Sequence, residues 1–327
     1  MKAAVLEGIN LPLQLQSVET PSLSDNHAIV RLHAAALNHR DVWIQKGQYA
    51  GLKFPIILGS DGAGVVVEST EPSWIGKEVI LNPSLDWGDS EKAQQKSYRI
   101  LGLPDNGTFA EFVKIPVGNL YEKPAHLSWT EAAALPLAGL TAYRALFSRA
   151  NLQPKEKVLI TGIGGGVALF GLQFALATGA QVWVTSGSDE KLSKAISLGA
   201  KGGANYRNAA WESELKSIGF DVILDSAGGE GFLKLIELAA PGGRIVFVGA
   251  TNGAPPSFPM QRIFWKQLSI FGSTMGSPKD FSQMLEFVKS HQVVPIVSDV
   301  LSLSDAEQAL QKMNDARQFG KIVLHIN

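Results

Sequence analysis

The run VLITGIGGGV at residues 158–167 limits the possible folds of this chain more than any other stretch. A short aliphatic segment enters four glycines, Gly162, Gly164, Gly165 and Gly166, and leaves through Val167 into a helical pattern. Glycines at such an elbow permit a tight turn and let backbone N–H groups approach a pyrophosphate. The helix that begins there adds a dipole favourable to an anion. Gly162 and Gly164 fit the dinucleotide-binding spacing, and Ala168 stands where a later packing glycine is sought, a position that tolerates alanine. Val167, Phe170, Phe174 and Ala177 follow at 3-4-3 spacing, one face of a helix.

The rest of this half repeats the alternation. Strand-like runs at 181–185, 221–224, 244–248 and 268–271, with a weaker one at 204–206, are separated by helical periodicity. Strand–helix–strand alternation predicts a parallel sheet covered on both faces. The first ~120 residues instead read as strands and turns punctuated by Pro and Gly, with a short helix near 39–46 and a longer helical stretch at 130–150 entered near Ser128 or Thr130. The tail from 296 returns to short strands around one helix at 304–313.

A length of 327 residues suits about two domains. Apolar residues make up 45% and charged residues 18%, enough core for an ordered protein, and the net charge of −1 supplies no field for nucleic acid or an anionic membrane. With no cysteine, neither disulfides nor thiolate zinc sites are available. Glu7 arrives before any signal-like apolar run forms, and the most apolar stretch, 132–143, is interrupted by Pro136 and Gly139 and is short of the ~20 residues of a membrane span. The expected setting is the cytoplasm, with no nucleic-acid or membrane partner.

An acid at the end of the second strand of a dinucleotide fold binds the ribose 2′-OH and repels a 2′-phosphate. Here that tip reads Ser186-Gly187-Ser188, with Lys191 one helical turn on, which favours NADPH; Asp189 and Glu190 suit the first turn of the next helix.

Several further stretches carry a resemblance: residues 36–41 (ALNHRD), 57–64 (ILGSDGAG), 131–136 (EAAALP), 139–143 (GLTAY) and 319–324 (FGKIVL). In this order they are similar to the medium-chain dehydrogenase/reductase superfamily, in particular its zinc-type alcohol dehydrogenase-like and quinone oxidoreductase branch. The resemblance implies an α/β chain: a GroES-like, mainly β catalytic domain from residues 1–123 and 295–327, and a Rossmann domain with a doubly wound parallel sheet from 124–294. It also implies a homodimer, formed through the last Rossmann strand near 268–274. Residue by residue, Ser186 falls where NAD-specific members carry aspartate, and Lys191 and Tyr206 match residues at the adenosine phosphate, beside Ser188. Thr141 matches a threonine beside the nicotinamide. Val248-Gly249-Ala250 and Phe271-Gly272-Ser273 match backbone segments near the carboxamide.

The chain departs from the zinc enzymes of that family where they hold catalytic zinc with a Cys, a His in a Gly-His-Glu run, and a third Cys or acid. The matching positions are Asn38, Ser60 and Ala138, and no metal is expected. The counterpart of the structural-zinc lobe, residues 82–102, contains no cysteine. Without a Lewis acid, an activated acceptor such as a quinone or an α,β-unsaturated carbonyl is the expected substrate, because its enolate can be held by hydrogen-bond donors. Asn38 and Tyr49 are the candidate catalytic donors, while Asp41 reads as a brace for its loop; Trp43, Trp87 and Phe264 are candidate pocket or core aromatics. Two alternatives stay open at this stage: a zinc-type alcohol dehydrogenase, and a non-catalytic NADPH-binding sensor or crystallin-like protein.

Overall fold

The computed structural model describes residues 1–327, which divide into two compact units: Met1–Leu140 with Gly276–Asn327, and Thr141–Met275. These limits differ from the sequence expectation of 123/124 and 294/295, and packing supplies the reason. The helix Trp129–Ala134 lies on the strands His27–Ala36 and Asp61–Ser69 of the first unit. The ring of Phe281, on the helix Pro278–Ser290, packs on Tyr121 with centroids 4.5 Å apart. Both helices therefore bury their apolar faces in the first unit.

In that unit, seven strands form one sheet. The order runs Leu120–Glu122, Glu78–Leu81, Asp61–Ser69, His27–Ala36, Lys321–His325, Val297–Ser302, with Phe112–Pro116 also paired to His27–Ala36. The ten-residue strand His27–Ala36 organises it: its first half pairs with Phe112–Pro116 and its second half with Lys321–His325. The register sets Ala36 opposite both Asp61 and Val323. Two residues past Ala36 is Asn38, and two residues before Val323 in this antiparallel pair is Lys321. Strand pairing thus brings residues from three distant parts of the chain to one end of the sheet.

The second unit is a six-stranded, all-parallel sheet. Its order is Gly202–Asn205, Gln181–Ser186, Lys157–Ile160, Phe220–Asp225, Ala239–Phe247, Ser269–Gly272, the third-second-first-fourth-fifth-sixth order of a dinucleotide-binding fold. Leu159, Phe220, Ile223, Phe232, Ile236 and Ile245 fill one core face. The expected helix forms at Gly166–Ala177. The close-packing glycine sought near Ala168 proves to be Gly171, whose added Cβ would fall 2.8 Å from Leu224 and 3.3 Å from Ile160. The helical stretch expected at 130–150 is two α-helices, Trp129–Ala134 and Pro136–Tyr143, followed by a π-helical segment, Arg144–Arg149. No helix is long and apolar enough to cross a membrane.

Candidate active site

In the nucleotide unit, the glycine elbow sits at the carboxyl end of Lys157–Ile160, where the strand order reverses, the position at which such sheets bind ligands. Gly162 and Gly164 have φ of +66° and +125°, and Gly165 caps the helix with no side chain on its first-turn N–H groups. Lys191 lies against the elbow: a Cβ on Gly164 would be 3.2 Å from Lys191 Nζ. Burial pushes the Lys191 ammonium below its usual range, as expected of a cation that is partly desolvated. Ser186 closes its strand, buried, and its Oγ accepts from Ser188 N at 3.2 Å; Ser188 in turn caps the helix Asp189–Ser197.

Sequence reasoning missed Arg207. A Cβ on Gly187 would meet Tyr206 Oη at 2.9 Å and Arg207 Nε at 3.0 Å, so both side chains lie across the strand tip that carries Ser186. Asp189 is occupied by Asn205, which donates to it at 2.8 Å. Further along the same carboxyl edge of the sheet, Val248 N donates to Asp225 O, and Gly249 lies so close to Ser226 O that a Cβ would sit 2.9 Å away. Phe271 lies under the Arg149 guanidinium, Gly272 ends the last strand, and Ser273 Oγ is buried without a partner. Thr141 is buried, with Oγ1 3.8 Å from Met275 Sδ. Open first-turn amides, a lysine on the elbow and an orphaned buried hydroxyl fit a bound pyridine dinucleotide.

The catalytic unit gathers charge at the sheet end described above. Asn38 is buried; its Oδ1 accepts from Lys321 Nζ at 2.6 Å and its Nδ2 donates to Asp61 Oδ2 at 2.9 Å, leaving one amide N–H. Lys321 also donates to Asp61 at 2.9 Å, an ion pair with side chains 4% and 0% exposed, and Asp61 Oδ1 accepts from Leu137 N. Asp41 accepts from Asn38 N at 2.8 Å, the loop-bracing role expected of it. Its carboxyl is pushed up to about 6, chiefly by burial, against the attraction of Arg40. Arg40 lies inside the cluster, donating from Nη1 to Ser60 Oγ at 2.7 Å and to Leu101 O at 2.8 Å. Tyr49 is half-buried over the guanidinium, its ring centroid 5.1 Å from the Arg40 carbon and its Oη 3.5 Å from Nε. Burial, with a smaller contribution from Lys46, lowers the pKa of His39, whose ring lies beside Trp43.

The positions matching zinc ligands do not fit zinc. Asn38 and Ser60 each bond a cation, Ala138 offers no donor, and no three His, Cys, Asp or Glu side chains cluster to hold a metal. The segment 82–102 is held by an aromatic pair instead: Trp87 is 2% exposed, edge-on to Tyr98 at 5.3 Å, and Arg99 pairs with Asp86 and Asp105. Phe264 is not a pocket residue: it is 65% exposed on a surface helix beside Trp265.

Residues 24–125 match the family model for the alcohol dehydrogenase GroES-like domain, and 166–290 that for zinc-binding dehydrogenase. The chain belongs to the medium-chain dehydrogenase/reductase superfamily. It is an NAD(P)-dependent oxidoreductase by that membership. It is 36% identical to the zinc-type alcohol dehydrogenase-like protein YogA of Leptosphaeria maculans, over 96% of this chain and 95% of that one. It is 28% identical to an acryloyl-coenzyme A reductase of Metallosphaera sedula, over 99% of each. A crystal structure of an NAD-dependent alcohol dehydrogenase superposes with a TM-score of 0.94 at 37% identity, covering 100% of both chains.

Proposed function

We propose that this chain is an NADPH-dependent, zinc-independent reductase of quinones or α,β-unsaturated carbonyls. The observation that carries the reading is the pair of cations, Lys321 and Arg40, bonded to the two side chains that stand at zinc-ligand positions. A divalent ion placed among them would meet two positive charges, and the carboxylate beside them, Asp61, is already paired with Lys321. The bound nucleotide supplies the hydride. The chain's own residues bind and orient: the first-turn amides from Gly165 to Val167 and Lys191 hold the pyrophosphate, and the Val248–Gly249 and Phe271–Ser273 segments hold the carboxamide. In the catalytic unit, Tyr49 Oη and the remaining Asn38 N–H are hydrogen-bond donors for an oxygen that gains charge when a β-carbon accepts hydride. The acryloyl-coenzyme A reductase relative, whose name specifies an activated C=C bond, supports this acceptor class.

NADPH rather than NADH is favoured by a strand tip of serine with Tyr206 and Arg207 placed across it, and by Asp189 being bonded to Asn205. The 37%-identical structure described as NAD-dependent favours the other nucleotide. Titration with both nucleotides, then turnover with a panel of quinones, enones and simple ketones, tests the whole reading. Tighter NADH binding overturns the cofactor assignment. Ketone reduction that depends on added zinc overturns the acceptor class, and nucleotide binding without turnover of any acceptor points to a sensor. We also propose a homodimer built on the edge strand Ser269–Gly272. In support, the neighbouring Met260, Phe264 and Trp265 are 71%, 65% and 82% exposed, an apolar surface rare on a monomer.

A further inference from the structure

Arg40 is bonded incompletely for so buried a cation. The residue is 8% exposed and makes no direct ion pair: Asp61 is committed to Lys321, and the buried Asp41 carboxyl acts on it only through space. Nη1 has two acceptors and Nε a single long contact, but Nη2 is buried with no partner at all. A buried guanidinium N–H without an acceptor is costly, and it persists where another requirement holds the group in place. The seat itself is built for it. Gly102 has φ of +94°, and a Cβ there would fall 3.2 Å from Arg40 Nη1 and 2.6 Å from Gly59 O, so only glycine admits the guanidinium beside the Leu101 carbonyl. Ser60, which holds Nη1, is itself buried and donates from its own hydroxyl to the same Leu101 carbonyl at 2.8 Å.

We propose that Arg40 is the fixed cation of the acceptor site: its guanidinium takes the carbonyl oxygen of the acceptor at Nη2 and holds the negative charge that hydride addition places there. The inference rests on the reading of the chain as a metal-free reductase of activated carbonyls. The electrons balance simply. Hydride from the reduced nicotinamide adds to the β-carbon, the alkene pair shifts toward the carbonyl carbon, and the carbonyl pair moves onto oxygen. The resulting enolate later takes one proton from water; the nucleotide is oxidised and the acceptor reduced. Tyr49, half-buried over the guanidinium, is the cover the acceptor displaces on entry. Its hydroxyl then joins Nη2 as a second donor to the same oxygen.

The test uses the full chain with Arg40→Gln, Arg40→Lys and Arg40→Ala. NADPH affinity reports on the other unit and stays unchanged in all three. Loss of one oxyanion donor typically lowers kcat by ~10²–10³-fold, and Arg40→Gln is expected to show a loss of that order with the best enone found. Arg40→Lys keeps the charge and recovers part of it, and low-millimolar guanidinium restores turnover to Arg40→Ala. A second readout needs no turnover: 4-nitrophenolate, a stable mimic of the enolate oxygen, is expected to bind the wild type at least ~10-fold more tightly than Arg40→Gln, as a charge-assisted hydrogen bond demands. Turnover of Arg40→Gln within threefold of wild type would overturn the proposal while leaving the reductase reading intact. Equal loss in Arg40→Lys and Arg40→Gln, with no rescue by guanidinium and unchanged nitrophenolate binding, would also overturn it and make Arg40 structural. A wild type inactive on every acceptor would sink the underlying reading and this proposal with it.

Discussion

Replacing Asp41 with asparagine removes a buried charge and keeps the shape of the side chain. Asp41 is fully buried, and its carboxyl rises from 3.8 to about 6: desolvation and Asp61 raise it, while Arg40, the Asn38 N–H and Lys321 pull it down. An acid with a folded pKa above its unfolded pKa holds more protons folded than unfolded between the two values. Its contribution to stability therefore falls as pH rises from about 4 to about 6, and above that the full penalty remains. The gap of about two units corresponds to ~3 kcal/mol. An asparagine carries none of that penalty, and its amide oxygen still accepts the 2.8 Å bond from Asn38 N. Against the gain stands an NH2 group placed where Asp41 Oδ1 has no partner, a cost of ~1 kcal/mol. Asp41→Asn should thus stabilise the catalytic unit by ~2 kcal/mol at pH 8, or ~4–8 °C at the 2–4 °C per kcal/mol typical of this size, and give no gain at pH 4.5. Thermal melts of both proteins at the two pH values, compared as differences, cancel every other titrating group. A variant that loses the same stability at pH 4.5 and pH 8 would refute the reasoning, because the carboxylate would then be a favourable ionised partner.

Three other substitutions read separate parts of the structure. Lys321→Met leaves Asp61 as an uncompensated buried carboxylate and should cost ~3–5 kcal/mol in urea unfolding, with most of it regained on adding Asp61→Asn; no regain would mean the lysine stem matters more than its charge. Ser186→Asp puts a carboxylate at the strand tip and should weaken NADPH by ~10-fold or more while strengthening NADH, measured by nucleotide fluorescence; equal effects on the two nucleotides would remove the tip from the selectivity argument. Trp265→Asp, 82% exposed in the chain alone, should shift sedimentation equilibrium toward monomer without unfolding, and an unchanged mass would place any dimer contact elsewhere.

The nucleotide unit was legible in the sequence because its determinants are local. The elbow 162–167, the helix face of Val167, Phe170 and Phe174, and the alternating strands each express a period or a turn requirement within ten or so residues. The packing glycine escaped because Gly171 owes its identity above all to Leu224, which is far from it in sequence. Arg207 escaped because nothing in the sequence says that the loop after Asn205 turns back over Gly187. The polar cluster shows the same limit more strongly. Asn38 was picked out as a donor and Asp41 as a brace, yet the lysine that joins Asn38 to Asp61 lies 283 residues from Asn38 and 260 from Asp61. Only the register of three strands makes them neighbours. Arg40 was passed over because an arginine in the first turn of a short helix looks like a solvated one until burial is known.

Asp41 and Arg40, adjacent in sequence and in the same buried cluster, tie stability to catalysis. Lys321 and Asp61 cancel as an ion pair, so the field at the acceptor site is set by Arg40 and by whether Asp41 is ionised. Below about pH 6 the carboxyl is neutral and the guanidinium charge is uncompensated; above it, the two offset each other in part. An enolate oxygen is held best by an uncompensated cation, so turnover at saturating enone should decline as pH rises through about 6. Asp41→Asn should flatten that decline, leaving the high rate at pH 8, while Arg40→Gln should remove the dependence by lowering the rate at every pH. A pH–kcat profile that declines identically in wild type and Asp41→Asn would assign the titration to another group and break the link between this carboxyl and the reaction.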